Sequence, residues 1–220
     1  MKVVAFVPIK MNNERTPGKN TKCFDDGTPL IQCILKSLKK VPEIDEIYVY
    51  CSNDKIKDYL IDGVKYLKRS ETLDTPEATS QDIIDSFIKE VDADIYVLSH
   101  ATSPFVKEDK FSICINKVIN EDYDSAFTAE KLQNLLWSEN KPLNFNAENI
   151  PRTQDLTPIY NEVSAAYVFK KETFKNLHRR IGLNPYICEV SAVEATDIDY
   201  PEDFEIANVL YMNIYKRGER

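Results

Sequence analysis

Short, almost wholly apolar runs alternate with amphipathic stretches through the first half of the chain, and this alternation predicts strands and helices in turn. Val3-Val4-Ala5-Phe6-Val7 reads as a buried strand that runs into a polar loop ending near Asn20. Leu30, Ile31, Ile34, Leu35 and Leu38 then recur at helical spacing and make one apolar face. Ile47-Tyr48-Val49-Tyr50-Cys51 predicts the next strand, ending at Ser52-Asn53-Asp54, which would cap a short helix. Val64-Lys65-Tyr66-Leu67 predicts a third, short strand. Thr75-Pro76 predicts a helix start, a cap residue followed by proline at the first helical position, with Ile83, Ile84, Phe87 and Ile88 as its apolar face. Asp94-Ile95-Tyr96-Val97-Leu98 predicts a buried strand, followed by a loop from Ser99 to Phe105 and a helix over about 108–120. Such alternation implies a mostly parallel sheet covered on both faces.

The second half is less regular. Ser125-Ala126-Phe127-Thr128-Ala129, Ala165-Ala166-Tyr167-Val168-Phe169 and Tyr186-Ile187-Cys188-Glu189-Val190 predict strands, and a closing helix follows Pro201. Between the first two lies a polar stretch, 131–160, rich in Asn and Pro and carrying the sole tryptophan, Trp137. It reads as an active-site flap or as a dimerisation arm. The length of 220 residues fits one domain over 1–220, with about 130–165 as that extension.

Composition narrows the function classes. With 43% hydrophobic residues the chain can bury a full core. A net charge of −8 argues against general affinity for nucleic acid or anionic membrane, so an anionic ligand must be held by a local cationic cluster. The five cysteines are widely spread with no CxxC pair, and three lie in apolar runs, which predicts buried, reduced thiols. His100 and His178 lack metal-ligand spacing. Residues 3–9 are too short for a membrane span and no cleavage site follows, so the expectation is a soluble, cytoplasmic protein.

The candidate chemistry starts in the loop after the first strand, Pro8-Ile9-Lys10-Met11-Asn12-Asn13-Glu14-Arg15-Thr16-Pro17-Gly18-Lys19-Asn20. A strand-end loop is where an α/β protein grips phosphate, yet this one has a single glycine and so cannot offer bare backbone as a glycine-rich fingerprint does. Lys10, Arg15, Lys19 and Lys22 would instead hold phosphate by charge and hydrogen bonds, unless the loop is merely solvated. The second cluster is Asp197-Ile198-Asp199 with Asp203 four residues on. In an extended strand end both carboxylates project to one side, about 6–7 Å apart along the chain, an arrangement that suits Mg²⁺. Helix capping before Tyr200-Pro201 explains the same residues. Taken together, cations at one strand end and a carboxylate pair at another make the halves of a Mg-nucleotide site.

The amino-terminal stretch resembles the signature of the acylneuraminate cytidylyltransferases, the CMP-sialic acid synthetases, commonly Pro-Ala-Arg-x-Gly-Ser-Lys-x-x-Pro-x-Lys-Asn. Pro8, Pro17, Lys19 and Asn20 match in place. Thr102-Ser103-Pro104, Arg152-Thr153-Gln154-Asp155-Leu156 with Tyr160 and Glu162, and Asp197-Ile198-Asp199 with Asp203-Phe204 follow in family order over most of the chain. The resemblance implies a three-layer, Rossmann-like nucleotidyltransferase fold. It implies transfer of CMP from CTP to an acidic sugar with release of pyrophosphate, Mg²⁺ as cofactor, and a homodimer. By residue, it implies nucleotide contacts from Pro8, Ile9, Lys10, Lys19, Asn20, Arg69, Thr79 and Ser80, and metal ligands at Asp197 and Asp199. It further implies a small acidic acceptor held by Thr102, Ser103, Lys131, Arg152, Gln154, Tyr160 and Glu162, with Arg152 pairing with the acid's carboxylate, where a surface or dimer-interface ion pair is the alternative. His100 reads either as a hydrogen-bonding group of that pocket or as a satisfied structural histidine. Lys10, Arg15 and Lys19 would stabilise the phosphate oxygens.

The departures fall near the acceptor. Ser99-His100-Ala101 stands where the family has glutamine, Phe105-Val106 replaces Leu-Arg, and Val163-Ser164-Ala165-Ala166 stands where Asn-Gly is common. Kdo, or a phosphonate or phosphate ester, is therefore an alternative acceptor. A glycosyltransferase with an Asp-x-Asp metal motif and a nucleotide-binding regulator are the rivals from other classes. Arg179-Arg180 reads as a solvated face, or as reaching a substrate from a partner subunit.

Overall fold

Alternation within the first strand sets the layering. The structure, a computed structural model, describes residues 1–13 and 16–213 in full and the backbone of 214–215. In β1 (Val3–Ile9), Val3, Ala5 and Val7 face one side of the sheet while Val4 and Phe6 face the other, as a period of two requires. β1 lies between β2 (Glu46–Cys51) and β4 (Ile95–Leu98), parallel to both, and β3 (Val64–Lys68) extends the sheet beyond β2. On the other flank β8 (Ile159–Lys170) runs antiparallel between β4 and β5 (Ser125–Leu132), and β9 (Pro185–Val190) closes the edge parallel to β5. The order is β3-β2-β1-β4-β8-β5-β9.

Helices α1 (Leu30–Lys39) and α3 (Glu108–Asn120) cover one face, burying Ile31, Ile34, Leu35, Phe111 and Ile115 in one core cluster with the sheet, α3 lying over β5, β8 and β9. Helices α2 (Ser80–Glu90) and α4 (Lys171–Leu177) cover the other, where Phe6 stacks on Phe87 at 4.1 Å. The expected three-layer fold with a mostly parallel sheet is therefore present. A third apolar cluster docks α5 (Pro201–Leu210) through Phe204 and Tyr211 onto Phe24, Phe105 and Ile198. This cluster pins the 197–199 segment beside the loop that follows β1.

Several boundaries differ from expectation. α2 begins at Ser80, not at Thr75-Pro76, because Thr79 makes a reciprocal cap with Asp82, the Asp82 backbone N–H donating to the Thr79 hydroxyl and the Thr79 backbone N–H to the Asp82 carboxylate. Residues 71–74 form a short 3₁₀ turn instead. β5 and β8 run well into the polar stretch, which leaves only 133–158 outside the sheet, with a two-residue-per-strand hairpin, β6 (Trp137–Ser138) and β7 (Lys141–Pro142). α4 carries too short an apolar pattern to be read from sequence. Cys33, Cys51, Cys114 and Cys188 are buried and Cys23 is exposed, all as free thiols. No helix among the described residues is long and apolar enough to cross a membrane.

Candidate functional site

β1 delivers the chain to the site and then turns away. Ile9 is buried in the core, so only its backbone faces the loop, and Pro8 is partly buried. The Asn20 side chain donates to the Lys10 carbonyl at 2.9 Å and to Asn13 Oδ1 at 3.4 Å, closing the loop on itself. Gly18, at φ 69°, makes the left-handed turn that starts the 3₁₀ turn Lys19–Thr21. From there the Lys19 side chain reaches across to the segment before α5. Its Nζ donates to the Ile198 carbonyl at 2.8 Å and to Asp199 Oδ1 at 3.0 Å. The Thr16 hydroxyl donates to the Asp199 carbonyl at 2.9 Å, and the Ile198 N–H to the Thr102 carbonyl at 2.9 Å.

The two acids flank Ile198, whose side chain is wholly buried in the third cluster, so both turn away from that core. Capping of α5 falls to Asp203, which accepts from the N–H groups of Asp199 and Tyr200 at 2.9 and 2.7 Å. Burial pushes the Asp197 carboxyl above the usual aspartate range; a hydrogen bond from Thr102 and the charge of Lys19 pull it down, and the charge of Asp199 pushes it up. No group of three or more His, Cys, Asp and Glu side chains among the described residues makes a metal cage. Two neighbouring hard carboxylates fit Mg²⁺, which keeps waters and draws further ligands from phosphate oxygens; Asp197 and Asp199 are the residues that would hold it.

A cavity of about 300 Å³ opens here, lined by Lys10, Asn12, Asn13, Thr16, Lys19, Pro76 and Asp199. Beside it, sharing Asn12, lies a hollow of about 460 Å³ whose wall includes Ser52, Lys68 and Asp74. Asp74 accepts from the Ser52 hydroxyl and from the guanidinium of Arg69, a buried side chain whose Nε has no hydrogen-bond partner among the described residues. Thr79 and Ser80 are exposed and engaged locally, with Asp82 and Gln81; Pro76 is the member of that segment that lines the cavity. Arg15 lies outside the described residues. Lys22 turns to α5, over the Phe204 ring and toward Glu205.

The residues expected to meet the acceptor separate into two groups. His100 is at the carboxyl end of β4, with Nδ1 2.7 Å from the Ser164 carbonyl, which sets the proton on Nδ1. Burial lowers its pKa to about 4; the bond to Ser164 opposes that shift, and the charges of Arg180 and Lys19 add to it. Thr102 is joined to Asp197, and Ser103 is buried, its hydroxyl without a hydrogen-bond partner among the described residues. Glu162 accepts from the Tyr167 hydroxyl at 2.5 Å and from Arg180 at 3.1 Å. Farther out, Lys131 is exposed opposite Tyr160, whose hydroxyl donates to Glu189 at 2.7 Å. Arg152 has a 74% exposed side chain bound to Asp155, and the neighbouring Gln154 accepts from Gln133 through its carbonyl. No contact among the described residues joins Arg152 or Gln154 to the Lys19–Asp199 pair. Thr16 and Asn13 escaped the sequence reading because nothing in periodicity marks them, and Arg180 reads there as a solvated face or as reaching a substrate from a partner subunit.

The Cytidylyltransferase family description matches residues 4–220. The chain belongs to the cytidylyltransferase family. Among its relatives, N-acylneuraminate cytidylyltransferase A of Danio rerio is 25% identical over 93% of this chain and 50% of that protein. A 3-deoxy-manno-octulosonate cytidylyltransferase of Hydrogenovibrio crunogenus is 28% identical over 60% of this chain and 53% of that protein. The chain spans about half the length of the curated relatives it matches. The fold is shared with a structure of CMP:2-keto-3-deoxy-manno-octonic acid synthetase complexed with CTP, at TM-score 0.75 and 17% identity over 96% of this chain and 99% of that one. It is also shared with a 4-diphosphocytidyl-2C-methyl-D-erythritol synthase of Anaerococcus prevotii, at TM-score 0.70 and 15% identity over 96% of each chain.

Proposed function

We propose that the chain transfers CMP from CTP to an acidic sugar of the nonulosonic acid class and releases pyrophosphate. The observation that carries this reading is the 3.0 Å contact between Lys19 and Asp199, which sets a cationic strand-end loop against the Asp199 carboxylate at one cavity, with Asp197 two residues before it. The triphosphate lies in that cavity, with Lys10 and Lys19 on its oxygens and the Arg69 side of the larger hollow next to the base. The acceptor hydroxyl oxygen bonds to the α-phosphorus as the bond to pyrophosphate breaks, and the hydroxyl proton passes to solvent water. Lysine ammonium groups fixed before the reaction stabilise the charge that grows on the departing oxygens. Positioning supplies the rest, with no covalent intermediate on the protein. Mg²⁺ held by Asp197 and Asp199 would supply charge neutralisation on the phosphates.

The acceptor side supports an acid, since His100 and Arg180 adjoin the carboxyl end of β4 beside Lys19. A Kdo-like acid is the second reading, favoured by the 28% identity to a relative named for that sugar. The exposed Trp137, Leu143 and Ile150 of the 133–158 arm support a homodimer, which sedimentation would register as a doubled mass. The direct assay is pyrophosphate release with each of the four nucleoside triphosphates, Mg²⁺ and a panel of nonulosonic acids, Kdo and phosphonates. CTP-dependent release with an acid is the expected result; none with any acid contradicts the proposal.

A further inference from the structure

Arg180 is adjacent to Arg179 in a polar segment after α4, yet the fold does not leave it in solvent. Its guanidinium lies 3.6 Å from the centroid of the Tyr167 ring, and its side chain is 24% exposed. One nitrogen donates to Glu162 Oε1 at 3.1 Å, and the hydroxyl of the wholly buried Tyr167 donates to the same oxygen at 2.5 Å. A carboxylate that is itself anchored therefore holds the planar fork over an aromatic face, with its rotamer freedom already spent. Glu162 takes one of the five N–H donors that a guanidinium carries.

His100 ties this cluster to the nucleotide cavity. Its ring meets the Tyr167 ring edge-on at 6.2 Å between centroids, and it feels the charges of both Arg180 and Lys19. Two residues on, the Thr102 carbonyl accepts from the Ile198 N–H, and the Ile198 carbonyl accepts from Lys19, so the loop after β4 joins the Tyr167 cluster to the Lys19–Asp199 contact. Arg152, by contrast, is spent on Asp155 three residues along the exposed arm.

We propose that Arg180, rather than Arg152, receives the carboxylate of the acid acceptor, an assignment that rests on the cytidylyl-transfer reading above. The carboxylate takes a free edge of the guanidinium fork, and the sugar lies over His100 with its reacting hydroxyl toward Lys19 and Asp199. Glu162 and Tyr167 are positioning residues that hold the fork.

The test compares the purified chain with Arg180→Gln and Arg180→Lys, using pyrophosphate release with CTP. Each is assayed with the acid that turns over and with the same compound as its uncharged primary amide. Expected for Arg180→Gln is a rise of about 10- to 100-fold in KM for the acid, KM for CTP within about twofold of the parent, and loss of the preference for acid over amide. Arg180→Lys retains part of that preference because it keeps the charge but not the fork. An acid-to-amide ratio unchanged in Arg180→Gln overturns the assignment, as does its loss in Arg152→Gln instead. Should Arg180→Gln fail to fold, an unchanged ratio in Arg180→Lys overturns it equally. If acids turn over and the ratio ignores Arg180, only this assignment falls; if no acid turns over in the parent chain, the function proposed above falls with it.

Discussion

Replacing Lys19 with methionine keeps an unbranched side chain one heavy atom shorter and removes its charge and its donors. In the structure the ammonium serves the Ile198 carbonyl at 2.8 Å and Asp199 Oδ1 at 3.0 Å, and the lysine side chain is 10% exposed. Leaving a nearly buried carbonyl without its donor costs about 1–3 kcal/mol. The ion pair adds at most about 1 kcal/mol, because the Asp199 side chain is 45% exposed and solvent screens it. A domain of this size loses roughly 2–4 °C in Tm for each kcal/mol, and stabilities of about 5–15 kcal/mol leave the variant folded at 25 °C. The rate should fall far more. Losing one preorganised contact to the developing charge costs roughly 10²–10³-fold in kcat, by analogy with a lost oxyanion donor. Pyrophosphate release at saturating CTP, paired with a thermal melt, separates the two effects. A Lys19→Met chain that is folded and turns over within about threefold of the parent refutes the reasoning.

Asp197 carries a carboxyl that burial pushes upward, so its folded value exceeds its unfolded one and its ionised form weakens the fold at neutral pH. Asp197→Asn should therefore raise Tm at pH 7.5, with the gain shrinking as pH falls toward the ordinary aspartate range, while turnover is lost; a lower Tm at pH 7.5 contradicts the burial argument. Thr79→Ala removes the reciprocal cap on α2 and should cost about 1 kcal/mol, seen as a Tm lowered by roughly 2–4 °C; an unchanged Tm would place the helix start elsewhere. His100 titrates near 4 in the fold against about 6.5 unfolded, so the stability it contributes is present above pH 6.5 and is lost as pH falls through 4. Urea midpoints between pH 6.5 and 4 should fall less steeply in His100→Gln, and parallel slopes would show the imidazole to be solvated.

The sheet core was legible because its strands are apolar on both faces and its helices repeat at their own period. Val3 to Val7 and Ile31 to Leu38 announce their partners before any contact is known. Lys19 and Asp199 were legible as residue types suited to phosphate and metal, and the fold sets them in contact although they are far apart in sequence. The start of α2 misled because Thr75-Pro76 and Thr79-Ser80 both look like caps, and only the reciprocal bond with Asp82 selects the second. Arg180 was legible only as a solvated face or as reaching a substrate from a partner subunit, because no local pattern records that an exposed-looking arginine lies on the buried Tyr167 ring beside Glu162.

Soaking or co-crystallising the protein with CTP and Mg²⁺, and locating the triphosphate, tests the central claim most directly. The account predicts phosphate oxygens on Lys19 and Lys10 inside the 300 Å³ cavity, with electron density for a cation against Asp197 and Asp199. A triphosphate bound away from that cavity, with the Lys19–Asp199 contact intact and untouched, would contradict it.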